Sequence, residues 1–129
     1  MNDDGAAHLT IVALLFGGML MLGVAVDISR FGASWREASH LAATAAEAGA
    51  GWIDEEAAYG GEILIDRSRA RSAARAVATG PGHQVATDIT ESRVCVSVSI
   101  QVRPTLLSIV GASSKWATAR SCAEPRRVP

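Results

Sequence analysis

Residues 9–26 read LTIVALLFGGMLMLGVAV and contain no charged side chain; Asp27 follows them, and Asp3, Asp4 and His8 precede them. At about 1.5 Å of rise per helical residue the run covers roughly 27 Å, close to the hydrocarbon thickness of a bilayer. Leu9, Ile11, Val12, Leu14, Leu15, Phe16, Leu20, Leu22, Val24 and Val26 together favour insertion by roughly 3 to 6 kcal/mol, with no charge to oppose them. A buried core helix is the competing reading. It needs enough other chain to wrap a rod that is apolar on every side, and a short, alanine-rich chain supplies little. The run therefore predicts a membrane helix.

Around this run the chain is 129 residues long, 49% hydrophobic, with formal net charge −1 and only three Trp, two Phe and one Tyr. That is enough for one domain plus an anchor. The near-neutral balance gives no global field for nucleic acid or an acidic substrate. Small residues at Gly23-Val24-Ala25 could mark a leader cut near Ala25, which would release a secreted binding module. The start, MNDDGAAH, has no Lys or Arg, however, and a secretory leader begins with positive charge. Arg30 and Arg36 follow the run, and by the positive-inside rule they favour a cytoplasmic C-terminal side.

Within the run, Ala13 and Gly17 form a small-xxx-small pair, and Gly18 and Gly23 add notches where another helix could pack in lipid. Beyond Asp27, residues 28–52 hold no Pro and many alanines, so the helix is expected to continue to about Trp52. Phe31, Trp35 and Leu41 supply its apolar stripe, and Arg30 and Trp35 stand where interfacial anchors belong. Asp54, Glu55 and Glu56 read as a helix start or a solvated cluster rather than an acid–base or cation site, since neighbours in sequence do not all converge on one point. Asp66 is an expected N-cap, followed by a second amphipathic helix with Ala70, Ala73, Ala74 and Val77 on one face. Arg67, Arg71 and Arg75 line another face, either simply solvated or set to meet phosphates or an acidic partner. Thr79-Gly80-Pro81-Gly82 ends it.

The remainder reads as three antiparallel strands: 85–90, 93–103 and 115–122. In the middle one Val94, Val96, Val98, Ile100 and Val102 alternate with Cys95, Ser97, Ser99 and Gln101. TLLSIVG, 105–111, is too short for a stable helix, and its Leu106, Leu107, Ile109 and Val110 need a cover: core, partner or lipid. With Arg103 opposite Lys115, Cys95 falls opposite position 123, one residue from Cys122. A cross-strand disulfide is therefore within reach of a one-residue register error. A bridge would place this half in an oxidising compartment outside the membrane, against the charge vote; the alternative is two free thiols. Two cysteines without a nearby His are insufficient for zinc. His8, His40 and His83 are scattered, and no nucleophile elbow, phosphate loop or metal spacing is present. No enzyme activity, cofactor, small-molecule substrate or nucleic-acid partner is expected.

The leader DDG, the apolar run, GVAVDISR and SHLAATAAEAGA together resemble the N-terminal region of the TadE/TadG-like family of Tad (tight adherence) pilus-assembly proteins. The likeness covers residues 3–50, and VSVSIQVRPTLLSIVGASSKWATARSCA resembles, more loosely, the β-rich tail of short actinobacterial members. It implies a pilin-like α+β fold: a long N-terminal helix, transmembrane then amphipathic, with a second helix and a three-stranded antiparallel sheet. The chain would divide into an anchor at 1–29, an extracytoplasmic lobe at 30–123 and a polar tail at 124–129. It would be a single-pass membrane protein, N-terminus in the cytoplasm, with other pilins or Tad assembly proteins and the lipid bilayer as partners. Two departures stand out. Pilin-like members are cut after a Gly with a Glu five residues on, and here Gly5 is followed at that distance by Thr10. There is also no room for the von Willebrand-like domain of the TadG type. The expectation is an unprocessed accessory or minor-pilin-like member.

Overall fold

The computed structural model describes the backbone of residues 3–126 and the side chains of 5–126. Met1, Asn2 and the end of the polar tail, 127–129, lie outside the described residues. The architecture is α+β: a long N-terminal helix, two further helices and a three-stranded antiparallel sheet of order β1-β2-β3.

Helix α1 runs unbroken from Asp3 to Ala50, 48 residues, because no Pro interrupts it and alanines favour the conformation. It stops two residues short of Trp52, where Gly49 and Gly51 lower helix propensity; the Gly51 amide donates to Glu47 O and that of Trp52 to Gly49 O, both at 3.2 Å. Its N-terminal part is long and apolar enough to cross a membrane, and only 6% of that apolar window is buried within the chain. Leu14 and Leu15 are each 70% exposed. Among the described residues nothing covers most of this surface, so residues 9–26 are not a core helix of this lobe.

Two α-helices follow among the described residues. α2, Glu55–Tyr59, is capped by Asp54, whose Oδ1 accepts from the Glu56 and Ala57 amides. α3, Arg67–Ala78, is capped in the same way by Asp66. The buried face of α3 is Ala70, Ala74 and Ala78, with Val77 left 36% exposed. The stripe predicted through Ala73 and Val77 is thus rotated, because methyl-sized residues let α3 approach α1 more closely than a valine row would.

β1, His83–Ile89, pairs with β2, Val94–Val102, which pairs with β3, Lys115–Ala123. The β2–β3 register differs by one from expectation: Val102 faces Lys115, and Cys95 faces Cys122 directly. Arg103 drops out of the ladder because it precedes Pro104, which restricts the preceding backbone and donates no hydrogen bond. The expected register would also have turned Arg120 toward the buried side of Val98. In the observed one Val98 meets Ala119 and Ile100 meets Ala117.

One face of the sheet packs on the C-terminal half of α1. Val94, Val96 and Val98 are fully buried against a bed that includes Ala38, Ala42, Ala45 and Ala46. Phe31 and Trp35, expected on this stripe, are 42% and 50% exposed. Gly49 is the tightest seat: a Cβ there would lie 2.9 Å from Val94 Cγ1 and 3.2 Å from Ala70 O. Alanine normally gains about 1 kcal/mol over glycine in a helix, yet overpacking a filled core costs about 1–3 kcal/mol. Gly49→Ala is expected to lower stability by about 1 kcal/mol, measured by thermal melting of the full chain in detergent. A raised melting point would show that the seat has slack.

Candidate functional site

The lengths of the packed elements decide where the β2–β3 loop lands. From Gly49 back to Asp27 the helix covers roughly 33 Å. From Val94, beside Gly49, to Thr105 an extended chain covers roughly 36 Å. β2 therefore runs back along α1 and delivers its loop to Asp27, the first residue beyond the apolar run.

There the carboxylate is 6% exposed. Its Oδ1 accepts from the Thr105 amide at 3.0 Å, and its Oδ2 from the amides of Leu106 at 3.1 Å and Leu107 at 2.9 Å. Those donors open a 3₁₀ turn, Leu107–Val110, so Asp27 caps an element some 80 positions later in the chain. The Arg30 guanidinium donates to Thr105 Oγ1. Asp27 read in the sequence only as the charge that closes the apolar run. Nothing local to it signals a partner so distant.

Past Asp27 the loop continues along the apolar part of α1. Leu106 fills the notch at Gly23, where a Cβ would meet Leu106 Cδ1 at 2.7 Å. Gly23 thus seats this chain's own loop. Phe16, Met19, Leu20 and Val24 with Leu107, Ile109 and Val110 line an apolar cleft of about 320 Å³. Ile109 and Val110 remain 79% and 75% exposed. Gly17 and Gly18 have nothing within 4 Å of the place a Cβ would take, and Ala13 is exposed, so that small-residue face is open.

The arginines of α3 belong to the far end. α3 meets α1 at Gly49, about 39 Å along the helix from Gly23. The structure does not bring Arg67, Arg71 and Arg75 together with the loop. Arg67 pairs with Glu91 at 3.2 Å. Arg69, which stacks over Trp52 at 5.8 Å, pairs with Asp66 at 3.4 Å and Glu55 at 3.7 Å. Arg71 and Arg75 stand exposed.

Cys95 and Cys122 form a disulfide on the sheet face turned away from α1, with Cα atoms 4.0 Å apart. Beside it a polar hollow of about 510 Å³ is lined by Glu47, Gly51, Ile53, Cys122, Glu124 and Arg126. Among the described residues no group of three or more His, Cys, Asp and Glu could hold a metal ion. His83 Nδ1 lies 3.3 Å from Ala78 O, a structural contact at the end of α3. A search of protein-family models finds no match to this chain, and neither the curated proteins nor the solved structures yield one.

Proposed function

We propose that this chain is a membrane-anchored assembly component that works by helix packing and docking rather than chemistry, an accessory or minor-pilin-like member of a Tad/Flp-type pilus or related secretion assembly. One observation carries the reading. A single helix is bare and apolar in its first half and forms the spine of a disulfide-tied sheet in its second. A chain so built offers a partner a lipid-level helix face and a small folded lobe, joined without a linker.

Further support comes from the residues that resemble the TadE/TadG-like pattern, since its Val-Asp step is Val26–Asp27 and Asp27 has a clear structural task here. The disulfide supports a lobe in an oxidising compartment, hence an N-terminus in the cytoplasm. The loop seated on Gly23 favours an intact chain: a cut near Ala25 would strip the cover from Leu106.

The open Ala13–Gly17–Gly18 face is the proposed seat of a neighbouring helix. Gly17→Leu is expected to leave insertion and the lobe intact, because among the described residues nothing across from the helix lies within 4 Å of where its Cβ would be, while lowering cross-linking from the span to partner helices in native membranes. Undiminished cross-linking and normal assembly in that variant would remove the proposed seat.

A further inference from the structure

The β2–β3 loop raises a question that its tie to Asp27 leaves unanswered: what covers Leu106, Ile109 and Val110. These side chains are 45%, 79% and 75% exposed, on a loop that lies beside the apolar half of α1. Gly23, in contact with Leu106, is about 6 Å along the helix from Asp27, and Phe16, at the far wall of the cleft, is about 17 Å from it. The loop therefore occupies the same level as residues 16–24. Whatever solvates the bare helix there also solvates the loop.

The backbone of the loop points the same way. Non-helical chain survives at hydrocarbon depth only where its polar groups are satisfied by protein. Pro104 has no amide to satisfy. The amides of Thr105, Leu106 and Leu107 go to Asp27. Those of Ile109, Gly111 and Ala112 go to the carbonyls of Leu106, Ser108 and Leu107, and the Ser108 hydroxyl donates to Thr105 O. Six of the eight amides in residues 105–112 thus have an acceptor within the protein. Exposed Arg103 and Lys115 flank the loop where the strands end, the level at which cations meet lipid phosphates.

We propose that residues 105–112 form a hook that enters the bilayer leaflet on the lobe's side, with lipid acyl chains as the cover of Leu106, Ile109 and Val110. The hook fixes how deeply the lobe sits and which of its sides faces the membrane. This rests on the reading of residues 9–26 as a membrane span, so the test must separate the two.

Full-length chain with its disulfide oxidised is reconstituted in phosphatidylcholine–phosphatidylglycerol vesicles. An environment-sensitive fluorophore is placed on a single added cysteine at Ile109→Cys, Leu20→Cys or Gln84→Cys, and quenching by spin-labelled acyl chains is measured. Ile109 and Leu20 are well exposed, so neither label displaces the core. The expected result is comparable quenching at 109 and 20 and none at 84. Quenching at 20 without 109 overturns the hook and leaves the span standing. Quenching at neither overturns the span and the hook with it. A position 109 shielded from lipid but cross-linked to a second copy overturns the hook in favour of a protein cover.

Discussion

Replacing Asp27 with alanine is expected to free residues 105–112 from α1 while the sheet and the disulfide stay formed. The carboxylate is the acceptor for three consecutive amides, and removing it leaves all three without that acceptor at a part-buried position. Bonds to a charged acceptor are the stronger kind, and an amide left without its acceptor bears an uncompensated desolvation cost as well. The damage should stay local, because the loop makes its contacts with the apolar part of α1 and the core of the lobe lies further along. Hydrogen exchange on the full chain in detergent is the measurement: protection of the amides at 105–107 should fall roughly tenfold to a hundredfold, with strand amides of β2 unchanged. Asp27→Asn keeps one carbonyl acceptor without the charge and should fall between. Protection that survives Asp27→Ala would mean that the seat of Leu106 on Gly23, not the carboxylate, holds the loop.

Removing the disulfide should have the larger effect on the lobe as a whole. Cys95 and Cys122 are 27 positions apart, and closing a loop of that size restrains the unfolded chain by roughly 3.5 kcal/mol. The paired change Cys95→Ala with Cys122→Ala is expected to lower the melting temperature of the lobe by about 15 °C or more. The lobe depends on this bridge because its core is made of small side chains. The largest that are fully buried are three valines, each stabilising by about 1.5 kcal/mol or a little more. A loss of only a degree or two would show that the β2–β3 ladder already restrains the unfolded chain, and that the loop-closure argument does not apply here.

The apolar run, the three strands and both cysteines were legible because each follows a simple period: unbroken apolarity for the first, strict alternation for the second. The packed stripe of α1 was not. It runs through Gly23, Asp27, Ala38, Ala42, Ala45, Ala46, Gly49 and Ala50, and hydropathy gives such residues little weight against Phe31 and Trp35, which turn outward. Close approach, not greasiness, chose those positions. The one-step register shift came from Pro104 acting on Arg103, a local effect that counting from strand ends does not capture. The role of Asp27 was invisible for a third reason. It depends on equal lengths of helix and strand, which match only once the pairing is known. The loop residues 106, 107, 109 and 110 were recognisable as needing cover, and their place beside Gly23 narrows what that cover can be.

With residues 9–26 spanning a bilayer as proposed, post and spine are one unbroken helix, and no break between them lets the lobe swing apart from the membrane. Taking Asp27 as fulcrum, Ala50 lies at the end of an arm of roughly 35 Å. A change of about 10° in the tilt of the anchor, well inside the spread seen among membrane helices, sweeps that distal tip through about 6 Å. Thinning or thickening of the bilayer, or leverage from a neighbour in lipid, would thus be transmitted as lateral travel of the outer sheet edge, and a pull on that edge would be felt as torque within the membrane.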